Sequence, residues 1–371
     1  MGEIGLDRGR RAALRRLIGV PLAWVLGGLR RAAGAGEDAG DLPPLSRLPL
    51  LEYGTASGAR RPIRRRSQWA RRRAQIRAGF ESVAGPLPGR EKRCPLSPQV
   101  VSEEDCGEFV RKDLTYAAEP GGRVPAYLLV PKTALEGRRA PAALCLHQTH
   151  AAGRKVVVGL GKSPDDEYGV ELVRRGYVCL APAYPHLADY APDLKGLGYA
   201  SGTMKAIWDN IRGLDLLESL PYVRPGRFFA IGHSLGGHNA IYTAFLEPRI
   251  AVVATSCAFD AYLHYMGGNL SGWIQERYLP RFEAYRGRPA SIPFDFHELI
   301  ASLAPRAFFA SAPKRDSNFR WRSVRAIEEA VRPVYALWGA GDRLRVRHPD
   351  SEHRFPPEMR EEAYEFAERW S

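Results

Sequence analysis

The chain has 371 residues, and its 45% hydrophobic and 26% charged content is typical of a globular protein, which excludes a disordered or fibrous one. Its formal charge of +13 would on its own suggest a nucleic-acid or membrane partner. Residues 1–77 carry a net charge of +11, however, and the remaining 294 residues carry only +2. The excess charge belongs to the N-terminal segment, and the body of the protein is nearly neutral.

The first 35 residues have the features of an export signal. Residues 8–17 are basic, the uncharged run Leu17–Leu29 follows, and Ala33–Ala35 has the small-x-small pattern that a signal peptidase accepts. The apolar run is shorter than the roughly 20 residues of a membrane-spanning helix. We expect residues 1–35 to direct export to the periplasm or the cell exterior. An uncleaved membrane anchor and a cytoplasmic tail are the alternatives, and only the anchor would contact a membrane.

Residues 36–100 predict a linker followed by an amphipathic extension. Residues 36–62 are rich in glycine, proline and alanine without an apolar period, so we expect no regular element there. Further on, apolar residues recur at helical spacing among many arginines: Trp69, Ile76, Phe80 and Val83. This pattern indicates a helix that docks its apolar stripe on the following domain and leaves its arginines in solvent. A nucleic-acid-binding arm is the alternative, but a charge run is usually a solvated face and we expect no nucleic-acid partner.

Strand and helix signals alternate through residues 101–371. The predicted strands are Asp113–Tyr116, Pro125–Val130, Ala142–Leu146, Tyr177–Ala181, Phe228–Ile231, Ala251–Ser256, Ala307–Ala310 and further strands within Val334–Val346. The predicted helices are Asp166–Arg175, Thr203–Ser219, Leu235–Leu246 and Val324–Val331. Apolar strands separated by helices imply an α/β domain with a mainly parallel sheet covered by helices on both faces. Right-handed crossovers place the loops after the strands on one edge, where sites form.

One motif carries chemistry. The strand Phe228–Ile231 leads into Gly232-His233-Ser234-Leu235-Gly236 and then a helix, which is G-x-S-x-G in the strand–turn–helix setting of a nucleophilic serine. The glycines let the strand and the helix approach closely, and the helix N-terminus favours negative charge near the serine. We predict Ser234 as a nucleophile. A glycine-flanked serine that only caps the helix is the alternative.

A nucleophilic serine needs a base, and the base needs a carboxylate that orients it. His353 follows the last predicted strand and precedes a terminal helix, so we predict it as the base. Asp316 follows the strand Arg306–Ala312, and the 36 residues between it and His353 accommodate a helix and a strand. Asp342 is the alternative acid, although only 10 residues separate it from His353.

Two backbone N–H groups are expected to stabilise the oxyanion, one from Leu235 after the nucleophile and one from Gln148 in the loop after the first parallel strand. His147 and His233 adjoin these donors, and we predict that they line the substrate site. His147 and His150 have the i, i+3 spacing of a metal-binding pair. No third ligand is in view in the sequence, so we predict no metal.

These segments resemble the α/β-hydrolase superfamily, and within it the dienelactone-hydrolase-like and acetyl-xylan-esterase-like serine esterases. The resemblance covers about residues 110–371 and rests on LCLHQTH, ELVRRGYVCLAPAYP, YASGTMKAIWDNIRGLDLLESLP, FFAIGHSLGGHNA, FASAPKRDSNF and RVRHPDSEHRFP. It implies the α/β-hydrolase fold and an esterase without cofactor whose triad is Ser234, Asp316 and His353. Glu352 stands where a glycine commonly precedes the catalytic histidine. Dienelactone hydrolases proper use a cysteine nucleophile, so Ser234 argues against their substrate.

An aromatic insertion follows the sixth strand of this fold, at about residues 260–305. Its rings are Tyr262, Tyr265, Trp273, Tyr278, Phe282 and Tyr285. Such insertions form the lid over the pocket in this fold, and we predict that Trp273 and Tyr262 contact the substrate. The alternative is that these rings only pack the lid onto the body.

We therefore predict hydrolysis of carboxylic esters through an acyl-enzyme, with acetylated carbohydrates among the candidate substrates. A peptidase of the prolyl-oligopeptidase type is one alternative, but the N-terminal extension is too short for the propeller of such enzymes. A non-catalytic α/β-hydrolase that serves as a binding protein is the other. The sequence leaves the oligomeric state open.

Overall fold

A computed structural model describes residues 42–161 and 163–371 of the chain. The export signal or anchor expected at residues 1–35 lies outside these ranges. No helix within them is both long and apolar enough to cross a membrane.

The described residues form strands and α-helices joined by short turns. The strands are β1 (Glu52–Gly54), β2 (Arg60–Pro62), β3 (Gln99–Asp105), β4 (Phe109–Glu119), β5 (Gly122–Pro131), β6 (Ala140–Leu146), β7 (Val178–Pro182), β8 (Val223–His233), β9 (Ile250–Ser256), β10 (Ala307–Ser311) and β11 (Leu344–Arg347). The helices are α1 (Arg66–Ala84), α2 (Lys132–Leu135), α3 (Tyr168–Arg174), α4 (Gly202–Ser219), α5 (Leu235–Leu246), α6 (Phe296–Ala301), α7 (Trp321–Leu337) and α8 (Pro357–Trp370).

One nine-stranded sheet has the order β11-β10-β9-β8-β6-β7-β5-β4-β3. The strands from β6 to β11 pair in parallel, whereas β3, β4 and β5 form an antiparallel end that joins β7. Successive side chains of β8 enter different cores: Phe228 packs with α4 and α5, and Phe229 packs with α3 and α8. The mainly parallel sheet with helices on both faces is confirmed. The loops after the parallel strands meet at one edge.

Helix α1 lies where the docking helix was predicted. Trp69, Ile76 and Phe80 are buried, and the Phe80 ring lies 5.0 Å from the ring of Phe294. The expectation of solvated arginines is wrong at Arg72, which is buried and bonds the carboxylate of Glu298 at 2.7 Å. Arg72 lies on the docked face of the helix, where it needs a partner carboxylate.

The segment expected to be an irregular linker contains regular structure. Its strands β1 and β2 pair as an antiparallel ribbon, and Leu50 nearby is buried. Three-residue strands are too short to show an alternating pattern, which explains why the sequence did not predict them.

Helix α7 is longer than predicted. It continues through Pro333 to Leu337, so residues 334–337 are helical and only β11 follows as a strand. The reason is visible in the buried positions Ile327, Val331 and Val334, which keep the helical period across the proline.

Candidate active site

The turn between β8 and α5 holds Ser234 in a strained conformation. Its φ of 51° and ψ of −120° lie outside the regions that a serine ordinarily adopts. A Cβ on Gly232 would lie 2.2 Å from the backbone carbon of Gly236, and a Cβ on Gly236 would lie 1.8 Å from the carbonyl oxygen of Leu146. Only glycines let the strand, the helix and the neighbouring loop approach so closely. The turn therefore presents Ser234, which is partly exposed, at the edge of the sheet.

The structure brings His353 and Asp316 together. His353 Nδ1 lies 2.8 Å from Asp316 Oδ1, and that oxygen also accepts the N–H groups of Asn318 at 2.8 Å and Phe319 at 3.2 Å. Burial would raise the pKa of Asp316, but the hydrogen bond and charge of His353 and the two N–H groups together hold it below its usual value. Asp316 is therefore a carboxylate at neutral pH, and it holds the proton of His353 on Nδ1.

The loop after β11 carries His353 to the elbow. The ring of His353 lies 4.9 Å from that of His233, and Ser256 Oγ donates to the carbonyl of Arg354 at 3.1 Å. Across residues 42–161 and 163–371, no hydrogen bond joins Ser234 Oγ to His353. Such bonds are often long in proteins without substrate and tighten when substrate binds.

Asp342, the alternative acid, lies away from this cluster. It occupies the exposed turn Gly341–Arg343 that precedes β11, whereas His353 follows the strand. The two residues therefore stand at opposite ends of β11, and the structure favours Asp316 as the partner of His353.

His147 has a different place from the one predicted. Its Nδ1 donates to the carbonyl of Gln148 at 2.8 Å, and its Nε2 accepts the N–H of Tyr184 at 3.1 Å. Burial lowers its pKa to about 4, so the ring is neutral. With both nitrogens occupied, His147 fixes the loop of Gln148 instead of offering a nitrogen to a substrate. Leu235 begins α5, and the N–H groups of a first helical turn have no acceptor within the helix.

His233 and Tyr262 are more enclosed than the prediction implied. His233 is buried in the elbow, and burial together with the nearby His353 lowers its pKa to about 3. The hydroxyl of Tyr262 lies 2.7 Å from that of Tyr242, and the Tyr262 side chain has no exposed surface. For Tyr262 the structure favours the alternative that the ring packs the insertion onto the body.

Trp273 lies at the centre of the insertion between β9 and β10. Its ring is 4.9 Å from that of His238 and 6.5 Å from that of Phe319, which in turn lies 6.1 Å from His353. The sequence analysis did not single out His238 or Phe319 for the site. His238 comes four residues after Ser234 on α5, and that helical spacing is a signal that could have identified it.

Cys257 was also missed as a neighbour of the site. Its Sγ donates to the carbonyl of Arg354 at 3.3 Å, and this sulfur lies within 4.8 Å of a carboxylate oxygen of Asp316 and a ring nitrogen of His353. Cys257 directly follows β9, and its position at the same sheet edge as Ser234 could have placed it. Because Asp316 and His353 are already hydrogen-bonded to each other, the proximity of Cys257, Asp316 and His353 does not require a metal ion.

Comparisons with known proteins agree with this architecture. A model of the alpha/beta hydrolase family matches residues 159–369. YtaP of Bacillus subtilis (strain 168), a hydrolase by name, is 27% identical over 310 residues, which are 80% of this chain and 99% of that protein.

Two solved structures share the fold. The glucuronoyl esterase from Solibacter usitatus superposes with a TM-score of 0.70 at 19% identity, over 88% of this chain and 98% of that one. Acetyl xylan esterase 1 from Thermoanaerobacterium sp. JW/SL YS485 superposes with a TM-score of 0.54 at 16% identity, over 78% of this chain and 97% of that one.

Proposed function

Because the chain belongs to the alpha/beta hydrolase family, we propose that it is a serine esterase that hydrolyses carboxylic esters of carbohydrates. The observation that carries the proposal is the 2.8 Å contact between His353 Nδ1 and Asp316 Oδ1, at the sheet edge where the strained turn presents Ser234. A base held by a buried carboxylate beside an exposed serine is the arrangement that activates a serine for attack on a carbonyl carbon.

The proposed reaction has two steps. Asp316 keeps the proton of His353 on Nδ1, so Nε2 carries a lone pair that takes the proton of Ser234 Oγ as that oxygen attacks the ester carbonyl. The N–H groups of Leu235 and Gln148 stabilise the negative oxygen. His353 then gives the proton to the departing alcohol, which leaves an acyl group on Ser234. His353 then takes a proton from a water molecule as the water oxygen attacks the acyl carbon. It returns this proton to Ser234 Oγ when the bond between Oγ and the acyl carbon breaks, and the acid leaves.

Carbohydrate esters are the proposed substrate class. Two proteins with this fold are named for esters of glucuronic acid and of acetylated xylan. Two partly exposed aromatic rings of the insertion between β9 and β10, Tyr265 and Tyr278, supply surfaces of the kind that sugars contact. The resemblance of the sequence to acetyl-xylan-esterase-like serine esterases agrees with this class.

Labelling with a fluorophosphonate and an ester panel test the proposal. We expect labelling of the wild-type protein and none of Ser234→Ala, together with turnover of 4-nitrophenyl acetate, methyl glucuronate or acetylated xylose. A folded wild-type protein that is neither labelled nor active would show that the enzyme assignment is wrong. Faster turnover of aminoacyl amides than of any ester would instead favour a peptidase.

A further inference from the structure

Two buried ring nitrogens near the nucleophile lack a partner. Within the described part of the chain, neither Nε2 of His238 nor Nε1 of Trp273 takes part in a hydrogen bond. The two residues are only 6% and 4% exposed, so bulk water does not solvate these atoms. Other buried side-chain atoms of the described residues also lack a partner, but these two belong to rings in contact, so a single bound group could satisfy both.

Contacts connect the pair to Ser234 on one side and, through the Phe319 ring, to His353 on the other. The backbone N–H of His238 donates to the carbonyl of Ser234 at 3.2 Å, so His238 follows Ser234 by about one turn of α5, which is about 5.4 Å along the helix axis. The Trp273 ring lies 4.9 Å from the His238 ring, and Phe319 links Trp273 to His353.

The two nitrogens differ in their hydrogen-bonding character. His238 Nδ1 lies 3.2 Å from the carbonyl of Ala258, so Nδ1 carries the proton and Nε2 is an acceptor. Burial lowers the pKa of His238 to about 3, so the ring stays neutral. Trp273 Nε1 can only donate. The described rings in contact with this pair are uncharged, and they are Tyr242, Tyr262, Tyr265, Tyr278, Phe296 and Phe319.

We propose that His238 and Trp273 form a subsite for one hydroxyl group of the sugar in the ester substrate. The hydroxyl oxygen accepts the N–H of Trp273, and the hydroxyl proton is donated to Nε2 of His238. A carboxylate does not fit, because it can only accept and would face the lone pair of His238 Nε2 with no proton to donate. The inference rests on the proposed esterase function and adds that the sugar recognised there is a neutral, hydroxyl-bearing one.

The side chains that shield the pair determine how the hydroxyl enters. Both nitrogens are enclosed by the insertion between β9 and β10, so the Trp273 ring must move away from α5 to admit the hydroxyl. A buried water held by the same two nitrogens is the competing explanation. The buried-water explanation predicts that substitution of Trp273 changes the stability of the protein but leaves its discrimination between hydroxylated and deoxy substrates unchanged.

Substitution at Trp273 and deletion of a substrate hydroxyl test the subsite together. Trp273→Phe keeps an aromatic ring and removes the donor, and His238→Phe removes the acceptor. Two sugar esters are used, each with its deoxy analogues: methyl glucuronate carries the sugar on the acyl side, and acetylated xylose carries it on the alcohol side. 4-Nitrophenyl acetate has no sugar, and Tyr262→Phe is the matched control, since it removes a polar atom from a neighbouring ring.

We expect Trp273→Phe to lower kcat/KM only for a sugar ester that carries the recognised hydroxyl group. Wild type should hydrolyse one hydroxylated sugar ester about tenfold faster in kcat/KM than one of its deoxy analogues, and Trp273→Phe should abolish that difference. The sugar ester that shows the effect identifies the side on which the hydroxyl lies. The discrimination between hydroxylated and deoxy esters by Tyr262→Phe should change less than twofold. Turnover of 4-nitrophenyl acetate by each variant corrects for any general loss of activity.

Other outcomes overturn the subsite separately from the esterase assignment. Equal effects of Trp273→Phe on hydroxylated and deoxy esters, or a stability change with unaltered discrimination, would contradict the subsite while 4-nitrophenyl acetate is still hydrolysed. If the wild-type protein hydrolyses no ester, the proposed function fails. Calorimetric binding of the same sugar esters to Ser234→Ala then tests the subsite without turnover, and equal affinities with and without Trp273→Phe would contradict it.

Discussion

At the scale of single residues, Asp316 shows how one carboxylate serves two purposes. Its Oδ1 accepts from the His353 ring and from two backbone N–H groups, so the turn of Asn318 and Phe319 fixes the same oxygen that fixes the base. Only 1% of the side chain is exposed, against 27% for His353. The carboxylate of Asp316 is thus shielded from solvent, while the ring of His353, the proposed base, is partly accessible.

We predict that Asp316→Asn lowers kcat about 10⁴-fold with little change in KM, because the amide no longer stabilises the proton of His353 on Nδ1. Steady-state kinetics with 4-nitrophenyl acetate measures the effect. Asp342→Asn is the matched control, since Asp342 is exposed at the other end of β11, and its activity should stay within twofold of wild type. A large loss in Asp342→Asn alone would reverse the assignment of the acid.

The site could be predicted from the sequence wherever spacing along the chain implied a position. Ser234 was marked by its glycines, and Asp316 and His353 were marked by the 36 residues between them, which the structure fills with α7 and β11. The contact of His238 with Trp273 could not be predicted in this way. It joins a helix to an irregular insertion, and no local period relates the two.

At the scale of elements, α6 shows the cost of capping a helix inside the protein. Asp295 Oδ1 accepts the N–H of Phe296 at 2.7 Å and of Tyr262 at 3.3 Å, and the residue is buried. Burial raises the pKa of Asp295 to about 8, and the two N–H groups only partly oppose this. The folded protein therefore keeps a proton on Asp295 that the unfolded chain releases above about pH 4.

The contribution of Asp295 to the free energy of unfolding should consequently fall as the pH rises from about 4 to about 8, since at this residue the unfolded chain binds fewer protons over that range. Asp295→Asn keeps the accepting oxygen and cannot ionise. We expect it to exceed wild type in the free energy of unfolding by more than about 1 kcal/mol at pH 9, and to match it at pH 4. Urea unfolding at both pH values measures this, with the exposed Asp350→Asn as control. An equal difference at both pH values would show that Asp295 does not titrate as described.

The elements that the sequence mispredicted share one physical cause. Proline at 333 favoured an end to α7, but burial of Val334 and Tyr335 outweighs the lost hydrogen bond and keeps the helix intact. Strands β1 and β2 pair with each other, but their sequences have no alternation of apolar and polar residues that would predict a strand. In both places tertiary packing decides, and local propensity does not reveal it.

At the scale of the whole molecule, the positive charge of the N-terminal extension is partly used inside the protein. Arg47 and Arg72 both bond the buried carboxylate of Glu298, and Arg66 donates to the carbonyls of Leu337 and Trp338. The arginines in this part of the extension therefore attach it to the hydrolase body.

Removal of the anchoring ring should reveal that the extension and the body unfold together. Phe80 is fully buried against Tyr242, Phe245 and Phe294, so Phe80→Ala should cost about 3–5 kcal/mol in the free energy of unfolding. Leu135→Ala, at a side chain that is 48% exposed, should cost less than about 1 kcal/mol. Two separate unfolding transitions in Phe80→Ala would show that the extension is energetically independent.

The attachment of α1 has a consequence for how such a site changes over evolutionary time. The helix grips the insertion between β9 and β10 through Phe294 and Glu298, and that insertion carries Trp273. Substitutions on α1 can therefore shift the insertion between β9 and β10 while the reacting groups keep their geometry. Residues of the extension can therefore be substituted during selection for a new substrate without any change to the reacting side chains.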